Sequence, residues 1–127
     1  MMTTSKSFFL LGCVFAFLGV AFGAFGAHAL KQRLSPELLQ IFEVGVRYQM
    51  YHAFALFIVS WAMSSWNLSG AAASGLWFTA GIVLFSGSLY ALALTDMKWL
   101  GAVTPFGGLS FLIGWGLLAW SAWQRIP

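Results

Sequence analysis

Four long apolar runs organise the chain, at residues 7–30, 50–66, 71–95 and 102–123, and none carries an Asp, Glu, Lys or Arg. A helix needs about 20 apolar residues to cross a bilayer, and each run is near or above that length. None shows the strict apolar–polar alternation of a barrel strand. Irregular backbone cannot face lipid, so helices are the expectation. The fold predicted is all-α, an integral membrane four-helix bundle forming a single domain over 1–127.

The polar stretches between the runs carry their own signals. Asn67-Leu68-Ser69 matches a glycosylation triplet, but Asn, Ser and Gly beside the membrane read as a tight turn. Asp96 to Gly101 is a second short link, and short links make neighbouring helices antiparallel. The first connection is longer. Ser35 is placed as an N-cap, Pro36 at the first helical position and Glu37 in the first turn. Gln40, Glu43 and Arg47 then share one face, and Leu38, Ile41, Phe42, Val46 and Tyr48 cover much of the rest. Glu43 precedes Arg47 by four residues, the favourable order for a helical ion pair. The pattern predicts one amphipathic interfacial helix over about 36–49, between the first and second spans. It is expected to run on into the second span, with a bend near Gly45.

Composition strengthens the membrane reading. Of 127 residues, 61% are hydrophobic and 7% charged, against roughly 25% charged in a soluble domain. A net charge of +3 with no basic run excludes nucleic acid as a partner. The expected partners are the lipid bilayer and another membrane protein or a second copy of the chain. Lys31, Arg33, Arg47 and Lys98 fall on one side of four spans, Lys6 and Arg125 on the other. The positive-inside rule then puts both termini in the periplasm. Trp66, Trp77, Trp120 and Trp123 suit an interfacial belt on the terminal side, and Trp99 one on the loop side. Lys6 and Ala27-His28-Ala29 resemble parts of a cleavable signal, but the first run exceeds the roughly 7–15 residues of a signal h-region, so it is read as uncleaved.

Helices in lipid associate where small residues let backbones approach. Gly12, Ala16, Gly19, Gly23 and Ala27 form such a ridge on the first run, and Gly107, Ser110 and Gly114 form one on the fourth. Packing within the bundle is the reading; a seam between copies is the alternative. Thr104-Pro105-Phe106-Gly107-Gly108 reads as a helix start, with an unwound, ligand-facing segment as its alternative. Cys13, alone in an apolar run, is a small packing residue with no disulfide partner.

Chemistry-bearing residues are few. His28, Glu43, Arg47, Tyr48 and His52 form a candidate polar cluster at one end of the bundle. Capping and headgroup anchoring explain them most simply. Ionisable groups at membrane depth also suggest proton handling or substrate contact. Two histidines at no diagnostic spacing give no metal set and no cofactor. No catalytic motif is present, so no catalytic residue and no enzyme activity is assigned.

The stretches Gly23–Lys31 (GAFGAHALK), Leu34–Leu39 (LSPELL), Tyr48–Leu56 (YQMYHAFAL), Leu84–Leu94 (LFSGSLYALAL) and Leu100–Trp115 (LGAVTPFGGLSFLIGW) resemble, in order, the domain-of-unknown-function 423 family. The resemblance implies a small four-helix protein of the bacterial inner membrane, similar to a eukaryotic transmembrane family, with an uncleaved first helix. It implies no catalytic role for any position. The functional expectation is a non-enzymatic multi-pass protein that packs with a membrane protein or lipid. The alternative is a small oligomeric transporter or proton-coupled permeation unit, with its site among His28, Glu43, Arg47 and His52 near the Thr104–Gly108 break.

Overall fold

The computed structural model describes residues 4–125, and all their regular structure is helical. Helix α1 is Thr4–His28. A short 3₁₀ turn, Leu30–Gln32, leads to α2, Pro36–Ser65. Helix α3, Ala71–Thr95, contains a π-helical stretch at Ile82–Ser86. A second 3₁₀ turn, Lys98–Ala102, precedes α4, Thr104–Arg125.

The ends follow local chemistry. Ser35 Oγ accepts the Leu38 N–H at 3.2 Å, with Pro36 next in the first turn, where a missing N–H costs nothing. Asn67 turns between α2 and α3 with φ 53°. Asp96 ends α3 with φ 56°. Asn and Asp are the residues besides glycine that visit this left-handed region readily. Asp96 also pairs with Lys98 at 2.8 Å on the exposed surface.

Helix α2 runs antiparallel to α1 along its full length. Ser60 meets Ser5 at one end, Met50 meets Gly19 midway, and Phe42 meets Gly26 toward the other. Helix α3 returns beside α2, with Ser86 against Gly45. Helix α4 packs on α3, with Phe111 on Gly81 and Phe78 on Gly114. Residues 4 and 125 therefore lie at the same end, close to where Gly75 meets Phe8 and Gly70 meets Ser121.

The amphipathic segment runs on into the second apolar run, as expected, within one unbroken helix. Pro36–Gln49 is the first half of an unbroken 30-residue α2. Its apolar stripe is buried inside the bundle at Phe42 and Gly45. An amphipathic pattern serves a core-facing helix as well as an interfacial one. Gly45 marks no break; it receives the Tyr90 ring.

Three helical stretches, Thr4–Gln32, Ala71–Thr95 and Lys98–Arg125, are long and apolar enough to cross a membrane. Helix α2 is not among them, in contrast to the four spans expected. It buries ten residues where α1 buries four, and Gln49, His52 and Ser60 are among the ten. A helix covered by its neighbours exposes less of itself to lipid, so its polar positions find protein partners.

Thr104–Gly108 is helical throughout, so the unwound segment considered for the fourth run is absent. Gly107 has a different purpose. A Cβ there would collide with the backbone of Phe85, so α3 and α4 touch backbone to backbone. Two apolar clusters make the core: one around Leu56, Val59, Phe78 and Phe111, the other around Leu30, Phe42 and Ala93.

Two glycines of α4 should behave oppositely. Gly107→Leu must push the helices apart and should cost more than about 2 kcal/mol. Gly116 has open space beside it, so Gly116→Leu should stay within about 0.5 kcal/mol. Unfolding in detergent followed by circular dichroism separates the two; equal losses would contradict the packing described.

Candidate functional site

The five residues of the polar cluster do not assemble. His28, Glu43, Arg47 and Tyr48 are exposed, whereas His52 is buried. Glu43 and His52 lie nine positions apart, which at about 100° per residue puts them on opposite faces of α2. Glu43 and Arg47 line a groove of about 280 Å³ between α1 and α2, together with Gly23 and Gly26. Among the described residues they form no ion pair with each other or with His28, although their spacing permits one. The His28–His52 and His28–Glu43 contacts allowed by the antiparallel pairing are not formed.

His52 is held on every side. Its Nδ1 lies 2.7 Å from the Tyr48 carbonyl oxygen, and its Nε2 lies 3.2 Å from Trp115 Nε1. A carbonyl only accepts and an indole N–H only donates. Nδ1 therefore carries the proton and Nε2 accepts, the pattern of the neutral Nδ1–H tautomer. The ring stacks on Phe111 with centroids 3.5 Å apart and planes 7° from parallel. Trp115 of α4 thereby closes over α2. Both ring nitrogens are used in packing.

Gln49 and Tyr90 are residues that sequence reasoning passed over. Gln49 is buried and bridges three helices. Its Nε2 donates to the Phe15 carbonyl of α1 at 2.8 Å, and its Oε1 accepts the Tyr90 hydroxyl of α3 at 2.6 Å. Gly19, one turn after Phe15, gives the room: a Cβ there would strike Met50 and stand 3.7 Å from Gln49 Nε2. One signal was available, since Gly45, Gln49 and His52 recur at spacings of four and three on a single face of α2.

Further hydroxyls tie the helices to one another. Ser86, in the π-helical stretch, donates to the Gly45 carbonyl at 2.6 Å. Ser110 donates to the Trp77 carbonyl at 2.8 Å, and Ser88 meets Thr104 at 2.7 Å. Ser74 Oγ is the one fully buried side-chain polar atom without a partner among the described residues.

The small residues named from the sequence lie as follows. Gly12 faces Phe57 and the Ala53 carbonyl, Gly19 faces Met50, and Gly114 faces Phe78. Gly23 is looser: a Cβ there would meet only Val46, at 3.5 Å. The α1 ridge is thus occupied largely by α2, not left open for a second copy. Cys13 is exposed on the outer face of α1. Among the described residues no three His, Cys, Asp or Glu side chains gather as a metal would require.

Comparison with known proteins places the chain among membrane proteins. The family described as "Protein of unknown function (DUF423)" matches residues 22–108. The UPF0382 membrane protein YwdK of Bacillus subtilis (strain 168) is 44% identical over 118 residues, covering 92% of this chain and 96% of its own. A UPF0382 membrane protein of Staphylococcus haemolyticus (strain JCSC1435) is 43% identical over 121 residues, covering 95% of this chain and 98% of its own. No solved structure matches.

The geometry makes His52 a packing residue and Glu43 a peripheral one. His52→Ala removes the stack on Phe111 and orphans the Trp115 N–H, and should cost about 2–4 kcal/mol. Glu43→Gln should change stability by less than about 0.5 kcal/mol. Tyr90→Phe should cost between about 0.6 and 1.7 kcal/mol, the average and the maximum for single interhelical hydrogen bonds in a membrane. Unfolding of the purified variants in mixed micelles measures all three. A His52→Ala protein as stable as the parent would overturn the assignment.

Proposed function

The chain belongs to the DUF423 family of membrane proteins, and from that premise we propose that it is a non-catalytic multi-pass bundle of the bacterial inner membrane that packs against lipid or another membrane protein. One observation carries the reading. The interior groups that could move a proton or hold a solute, His52 and Gln49, already spend both of their polar ends: Gln49 on α1 and α3, His52 on its own helix at Tyr48 and on α4 at Trp115. Large apolar side chains cover the outer faces instead: Phe17 and Val20 on α1, Leu112 and Trp123 on α4.

In this arrangement all four helices cross, α2 shielded by the others. Lys31, Arg33, Arg47 and Lys98 lie at the end facing the cytoplasm, and both termini lie in the periplasm. The first half of α2 rises through the cytoplasmic interface with Glu43 and Arg47 on its outer side.

Two measurements check this. Full-length protein alone in phosphatidylcholine vesicles should give proton and solute fluxes equal to those of empty vesicles. Flux that His52→Ala abolishes without reducing the protein's abundance would establish a permeation unit instead. Alkaline phosphatase fused to either terminus should be active in cells, whereas a fluorescent protein fused there by the same export route should be dark. Opposite results at the two ends would rule out an even number of crossings.

A further inference from the structure

We propose that the groove between α1 and the first half of α2 holds an amine-bearing phospholipid, with the phosphate on Arg47 and the ammonium on Glu43. This deepens the reading of the chain as a lipid-packed bundle and rests on it. The groove, of about 280 Å³, is open on the outside of the molecule. Its floor is glycine on the α1 side, at Gly23 and Gly26. A Cβ at Gly23 would make only ordinary contact with Val46, so close helix approach does not require glycine there. The missing side chain leaves a channel for an acyl chain beside Phe42 and Val46.

Depth and charge supply the rest. Thr4–Gln32 is 29 residues long, about 43 Å at 1.5 Å per residue, which matches a bilayer with its headgroups. Gly26 and Gly23 are six and nine residues before Gln32, about 9 and 14 Å in from that end. With a hydrocarbon core of about 30 Å, the groove thus opens just inside the hydrocarbon, about 2–8 Å below the headgroup layer. A carboxylate and a guanidinium on an outer face at this depth require partners. They stand one turn apart and do not pair with each other. Both stems are long enough to reach toward the headgroups. A headgroup that carries both charges satisfies both residues. Glu43 in the same groove opposes the additional negative charge of an anionic lipid. An ammonium donates hydrogen bonds to the carboxylate that a trimethylammonium lacks. These contrasts favour phosphatidylethanolamine over phosphatidylglycerol and phosphatidylcholine.

Native mass spectrometry of the full-length protein in mild detergent, titrated with the dioleoyl form of each lipid, tests this. The parent should retain phosphatidylethanolamine about fivefold better than either of the others, the scale of one charge-assisted hydrogen bond. Glu43→Gln should remove that preference, Arg47→Gln should weaken all three lipids, and Gly23→Leu should fill the channel and do the same. Circular dichroism confirms that each variant keeps its helices. Stronger retention of phosphatidylglycerol, equal retention of all three lipids, or a preference untouched by Glu43→Gln would overturn the proposal. Equal retention by a protein that conducts nothing in vesicles sinks this site alone; conduction there sinks the broader reading.

Discussion

Lipid tails solvate an apolar side chain about as well as a neighbouring helix does, so burying leucine gives these helices no reason to associate. Shape does. Phe57 lies on Gly12, Phe8 on Gly75, Phe111 on Gly81, Phe78 on Gly114, Phe42 on Gly26 and Tyr90 on Gly45. Each is a ring set against bare backbone. A flat ring brings many atoms to optimal distance at once, and each pair contributes about 0.1–0.2 kcal/mol. A lipid chain cannot match that fit, because its conformation fluctuates. Six of the chain's 14 glycines are used in this way.

Small residues recur every three or four positions along α1, at Gly12, Ala16, Gly19, Gly23 and Ala27, so packing on them alone tolerates a slip of one turn. Hydrogen bonds to single named carbonyls do not. Gln49 reaches the Phe15 carbonyl, Ser86 that of Gly45 and Ser110 that of Trp77. Each joins a different pair of neighbouring helices, and His52 with Trp115 adds the diagonal between α2 and α4. Slipping any pair by a turn would strand a buried polar group in hydrocarbon, at greater cost than the contact itself is worth. The π-helical stretch of α3 belongs to the same device. It carries Ser86 to α2 and, one residue earlier, sets the Phe85 backbone against Gly107 of α4.

These facts explain what could be read from the chain alone. The runs at 7–30, 71–95 and 102–123 fall on α1, α3 and α4 because polar residues bound them on both sides. The division at Gln49 is not a boundary. Residues 36–49 show one polar stripe, and a stripe does not reveal whether lipid headgroups or other helices cover the remainder. The polar cluster was grouped by height along the bundle axis. Height placed Glu43 and His52 near each other; the half-turn between them separates them. Gln49 carries no charge and its partner Tyr90 is distant in sequence, so periodicity on one helix could not join them. The apolar runs and the family resemblance each supplied the number of helices; neither supplied the partner of any side chain.

The polarity of α2 then constrains where function can lie. Polar side chains persist at membrane depth only where protein covers them, and α2 is the most covered helix. Of the seven buried polar side chains among the described residues, three, Gln49, His52 and Ser60, sit on that helix, including the only two with more than a hydroxyl to offer. Its inward groups, Gln49 and His52, are already committed to holding α1, α3 and α4. Beyond its first turn, the ionisable groups that α2 still exposes are Glu43 and Arg47, together with the hydroxyls of Tyr48 and Tyr51. Whatever this protein recognises through charge along the length of α2 must be met from the side, at the mouth of the α1–α2 groove, and not through the middle of the bundle.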